Sequence, residues 1–138
     1  MPDAVIVAAA RTAIGTARKG TLLDVSAFDL AKYAVGEALK RSGIPGPEVD
    51  DLAMGESLQG GGDIARYAAI ELGLVEIPGV ALNRHCASGM ASVQGAAASI
   101  MAGMDKVVIA GGSESISTSP QTMKRTPGTD DWVLWMSP

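Results

Sequence analysis

A single cysteine, a single histidine and few aromatics (one Phe, two Tyr, two Trp) set the first limits on this 138-residue chain. One cysteine excludes an intrachain disulfide and every zinc pattern built on several cysteines, so no metal site is expected. It also fits a reducing compartment. Basic clusters are missing: Lys and Arg total 11 against 15 Asp and Glu, the net charge is −4, and basic residues gather only in pairs such as Lys124-Arg125. Nucleic-acid binding needs a basic stripe to displace counterions from phosphate, so no nucleic-acid partner is expected. Long apolar runs are missing too. Ala4 to Ala10 is a run of seven, too short to span a bilayer, and no basic segment precedes it as a secretory signal requires. The expectation is a soluble, cytoplasmic chain without a membrane span.

What is abundant is small. The chain has 17 glycines, 47% apolar residues and 19% charged residues, with the length of about one domain. Such a core relies on close backbone approach rather than large rings. "AVIVAAA" reads as a buried strand, apolar on both faces. In "DVSAFDLAKYAVGEALKRSGIP", Ser26 and Asp29 form an acidic capping box, Leu30, Ala31, Ala34, Val35, Ala38 and Leu39 repeat at helical spacing, and Gly43 with Pro45 stops the helix. "VDDLAMGESL" reads as a second strand, "QGGGD" as a turn, and Asp63 as the cap of a short helix carrying Ile64, Ala68 and Leu72 on one face. "GVALNR" is a third strand, and its edge is a place for a partner sheet to pair. From Cys86 to about Ala102 runs a helix of small residues, stopped by Gly103, and "KVVIAGG" is a fourth strand. Alternating strands and helices predict an α/β fold, mainly a parallel sheet with helices on both faces. After Ser117 the chain turns loop-like. The apolar "WVLWM" before the final "MSP" wants a cover and is expected to mark a chain cut short.

Cys86 and His85, the only residues of their kinds, sit side by side in "NRHCASGM". The order strand, then "NRHC", then helix places Cys86 at a helix start, where unpaired N–H groups and the helix dipole favour an anion. A thiolate is stabilised there and is the better nucleophile, and strand ends facing helix starts are where open α/β sheets place ligands. The competing reading is a small buried hydrophobe. His85 invites a Cys–His pair, but neighbours at such a junction point different ways, which favours an ordinary loop histidine. Glycine weakens a helix, so the glycines of "CASGMASVQGAAASIMAG" argue for a buried helix closely approached by another. "QGGGD" lacks the order and the lysine of a phosphate loop and reads as a flexible turn. Glu114 in "AGGSES" is either a hydrogen-bonded anchor or a site acid, with the anchor favoured. Lys124 and Arg125 read as an exposed basic pair.

At these residues the chain resembles the thiolase family of the acetyl-CoA acetyltransferase type. "AVIVAAARTAIG", "SLQGGGDIARYAAIELGL", "NRHCASGM" and "VVIAGGSES" follow the family's segments in order, although "GGGDIAR" stands where many members have roughly GQGxNPAR. The resemblance implies a thiolase-like N-terminal half over residues 1–117 and the start of the loop domain over 118–138, because family members are much longer and repeat the fold in a second half. It implies an acyltransferase in which Cys86 carries the acyl group as a thioester. The backbone N–H of Cys86 would donate to one developing oxyanion. A second cysteine, a histidine and an asparagine belong to later motifs, and this chain has none of them. His85 does not match the family's catalytic histidine. Coenzyme A thioesters are implied as substrates, with no permanently bound cofactor, and most coenzyme A contacts lie in later segments. The implied partners are the C-terminal thiolase half and further copies in a homodimer or homotetramer, with fatty acid β-oxidation the metabolic setting. The 138 residues alone are expected to be inactive. Two alternatives stand: a condensing enzyme of the ketoacyl synthase group, and a non-catalytic acyl-CoA-binding or assembly subunit in which Cys86 reacts slowly.

Overall fold

The computed structural model describes residues 2–135. Helix α1 spans Ala27–Ser42. Ser26 starts it: its Oγ accepts the Asp29 N–H at 3.0 Å and donates to the Asp29 carboxylate at 2.6 Å. Gly43, at φ 68° in the left-handed region, ends it, a conformation a Cβ would oppose. A short 3-10 turn, Gly46–Glu48, leads into strand β1, Asp51–Gly55. Helix α2, Ile64–Glu71, is capped by Asp63, whose carboxylate accepts the Arg66 N–H at 3.1 Å. Then come β2 (Gly79–Leu82), α3 (Ser88–Ala102), which Gly103 ends, and β3 (Val108–Gly112).

The three strands form one parallel sheet in the order β2-β1-β3, with Met54 opposite Ala81 and Gly111. Side chains alternate across a strand, and β1 shows both faces in use. Leu52 and Met54 join Ala31, Val35, Ile64 and Ala68 in a core under α1 and α2. Gly55 faces the other way, against the start of α3. Helices therefore cover both faces, and the α/β architecture expected from the sequence is present.

Two expectations are corrected. The run Ala4 to Ala10 forms no strand, and Val5, Ile6 and Val7 are 73%, 81% and 65% exposed. Across from it lies the free edge of β3, and a groove of about 470 Å³ lined by both segments separates them. A strand exists only through paired backbone groups, and this run pairs with no strand among the described residues. The small-residue helix is present as α3, but it is not buried. It packs one side on β1 and β3, and of its residues only Ser88 and Ser92 are buried. Its other side meets no second helix among the described residues.

Beyond Ser117 the chain is not wholly irregular. Strands β4 (Met123–Arg125) and β5 (Trp132–Leu134) form an exposed antiparallel hairpin. The "MSP" terminus and Met136 of "WVLWM" lie outside the described residues. No described helix is long and apolar enough to cross a membrane.

Candidate active site

Cys86 lies in the turn joining the end of β2 to the start of α3, and its side chain is exposed. The small buried hydrophobe is thus not what the structure shows. The turn is tight: the Ala87 N–H donates to the Arg84 carbonyl and the Ser88 N–H to the His85 carbonyl, both at 3.1 Å. To make it, His85 takes φ 52°, a left-handed conformation that costs a non-glycine residue about 1 kcal/mol or more. The His85 N–H donates to Asn83 Oδ1 at 2.9 Å. No hydrogen bond joins the His85 side chain to Cys86 among the described residues.

Helix α3 begins without a side-chain cap at Ala87. Of its first N–H groups, that of Ser88 is taken by the His85 carbonyl, while those of Gly89 and Met90 have no acceptor among the described residues. The Cys86 N–H likewise has no acceptor among the described residues. An exposed sulfur beside a free N–H on an uncapped helix start can present a nucleophile and a hydrogen-bond donor to one carbonyl group.

The surroundings fix this turn against the sheet. Gly55 ends β1 so close to α3 that a Cβ there would lie 2.5 Å from the Gly89 nitrogen and from the Ser88 carbonyl carbon. Beyond β3, "GGSES" works as an anchor. The Ser113 and Ser115 hydroxyls donate to the Ala27 and Val25 carbonyls at 2.8 and 2.9 Å. Glu114 faces the opposite way and accepts the Ser57 and Leu58 N–H groups at 3.1 and 3.2 Å, together with the Gln59 side-chain amide. Glu114 thus fits its structural reading. Gly60 and Gly61 of the turn "QGGGD" take positive φ. Lys124 and Arg125 are exposed on the hairpin.

Three residues escaped the sequence reading. Glu56 is 6% exposed and accepts the Ile64 N–H at 2.8 Å, so it shares the start of α2 with Asp63. Asn83 holds the cysteine turn from before. Ser88, 5% exposed, holds it from behind. The signal for Ser88 was available: a serine two residues after a nucleophile candidate, at a helix start, is placed to bond its own turn. Among the described residues no group of three or more His, Cys, Asp or Glu could hold a metal ion.

Residues 4–130 match the family described as thiolase, N-terminal domain. The mitochondrial acetyl-CoA acetyltransferase of Xenopus tropicalis is 43% identical over 126 residues, covering 89% of this chain and 30% of that protein. The acetyl-CoA acetyltransferase of Cupriavidus necator is 40% identical over 134 residues, covering 95% and 33%. Among solved structures, the Bacillus anthracis acetyl-CoA acetyltransferase superposes with a TM-score of 0.86 at 35% identity, covering 96% of this chain and 35% of that one. A thiolase from Ascaris suum in complex with coenzyme A gives 0.85 at 32% identity, covering 96% and 36%. The chain thus spans about a third of the length of the relatives it matches. The match covers β1 to β3, the cysteine turn and the post-β3 anchor together, and the chain belongs to the thiolase family, within its N-terminal domain.

Proposed function

We propose that this chain supplies the nucleophile part of a thiolase-type acyl transfer between acyl-CoA and acetyl-CoA, with Cys86 as the residue that carries the acyl group. The observation that carries this reading is the exposed Cys86 thiol at an uncapped helix start, inside a match to the thiolase N-terminal domain.

In the cleavage direction the Cys86 thiolate attacks the keto carbon of a 3-ketoacyl-CoA, and a carbon–sulfur bond forms. The carbonyl electrons move onto oxygen, where the Cys86 N–H is placed to donate. As the carbonyl re-forms, the carbon–carbon bond breaks and its electrons leave on acetyl-CoA, which takes up a proton. The acyl group stays on Cys86 as a thioester until the thiolate of a second coenzyme A attacks it and restores the cysteine. Run backwards, the sequence is a Claisen condensation. The thiol must first lose its proton and the acetyl-CoA carbon must gain one. His85 does not reach Cys86 for the first task, so both fall to groups outside this chain, which the C-terminal half of a thiolase would supply. By this reading the chain alone is inactive, and a homodimer or homotetramer would use the free edge of β2.

The test is complementation. Mixed with the C-terminal portion of the Cupriavidus necator relative, the chain should cleave acetoacetyl-CoA in the presence of coenzyme A, and Cys86→Ser should not. Equal rates with and without Cys86 would overturn the proposal.

A further inference from the structure

Ser88 is nearly buried at the first position of α3, and its hydroxyl makes two contacts within the cysteine turn. Its Oγ accepts the Arg84 N–H at 2.8 Å and donates to the His85 carbonyl at 2.6 Å. These two partners lie on either side of the Arg84–His85 peptide, and the second belongs to the peptide that leads into Cys86. Between them His85 holds φ 52°, where only glycine rests without strain. A side chain that bonds its own local backbone stabilises an irregular conformation against the regular alternatives. Among the described residues no other side chain bonds both Arg84 and His85.

From this geometry we infer that Ser88 is the positioning residue of the Cys86 turn: its hydroxyl braces the left-handed His85 and so sets where the thiol and the Cys86 N–H point. The inference rests on the reading of Cys86 as the acyl-carrying nucleophile. It assigns Ser88 no contact with substrate. Ser88 acts through the backbone, and its importance depends on the strain at residue 85. A glycine at 85 removes the strain, and with it most of the need for a brace.

That dependence supplies a readout that a merely structural role would not move. The rate of Cys86 alkylation by iodoacetamide, followed by intact mass on the full chain, is compared for wild type, Ser88→Ala, His85→Gly and the double variant, with thermal midpoints recorded alongside. If the brace is lost while the strain remains, the fraction of molecules with a competent turn falls, and Ser88→Ala should alkylate about tenfold more slowly. The double variant should alkylate within about twofold of His85→Gly, a non-additive pair as expected for coupled neighbours. If Ser88 only starts the helix, Ser88→Ala lowers the thermal midpoint yet its folded molecules alkylate at the wild-type rate, and the inference is overturned. Should Ser88→Ala fail to fold, His85→Gly against the double variant decides. Matching rates support the brace, and a tenfold loss or an unfolded double variant refutes it. The wild-type rate relative to free cysteine reads the nucleophile assignment separately, so the two can fail independently.

Discussion

The two sides of the sheet are built differently. Under α1 and α2, Leu52, Ile64 and the alanines 27, 31, 65, 68 and 69 are wholly excluded from solvent. On the other side α3 buries two serines while Met90 and Met101 stay exposed, and beside the free edge of β3 Val5, Ile6 and Val7 are exposed too. The closed side closes because helix starts and stops are locally encoded: Ser26 and Asp63 cap, Gly43 ends, and the alanines let two helices lie close on the sheet. The open side is also rich in alanine and methionine, but α3 meets no second helix among the described residues. The lesson is that apolar sequence specifies burial only where a complementary surface lies within the chain. The cysteine turn stands at the border. Gly55 and Ser88 tie it to the sheet, while the thiol faces out.

The contrast can be broken or sharpened in measurable ways. Cys86→Ser has the largest expected effect. It should reduce acyl transfer by the complemented chain on the order of 10⁴-fold or more, the scale of losing a nucleophile, with no change in thermal midpoint. Leu52→Ala tests the closed side. Denaturant unfolding should show a loss of about 2–5 kcal/mol, and a smaller loss would mean that this core is looser than its burial implies. Gly55→Ala tests the border, because its methyl group would strike backbone rather than a movable side chain. A cost of about 1–3 kcal/mol is expected from overpacking, together with altered Cys86 alkylation. At the free edge of β3, Ile6→Ala should change stability by less than about 0.5 kcal/mol. A core-sized loss there would show that the groove beside β3 is closed in solution. The smallest effect concerns Asp50. The backbone N–H groups of Val107 and then Lys106 hold its carboxyl below the ordinary value of 3.8. Its contribution is therefore fully present above that value and lost as pH falls through the lower folded value. Asp50→Asn should flatten the acid limb of a stability-against-pH curve only slightly, since the group is exposed.

Legibility in the sequence followed the same division. Caps and stops were readable because they are local: Ser26, Gly43, Asp63 and Gly103 act where they were placed. The strand at Ala4 to Ala10 and the burial of α3 were not, because both depend on a surface that the sequence segment itself does not describe. The hairpin β4–β5 was missed although Pro127-Gly128 lies between its strands, a turn signal outweighed by the polar residues around it. Cys86 stood out by its motif and by being alone. The bonds of Ser88 and Asn83 to the cysteine turn were hidden, since they accompany the left-handed backbone of His85, which its residue type announces only weakly.

The measurement that bears most directly on Cys86 as the acyl carrier is intact mass spectrometry of the 14.0 kDa chain after brief exposure to acetoacetyl-CoA with the C-terminal portion of a relative present. One acetyl group, mapped to Cys86 and released by added coenzyme A, is the predicted result. A chain of unchanged mass, or one acetylated equally well as Cys86→Ser, would contradict it.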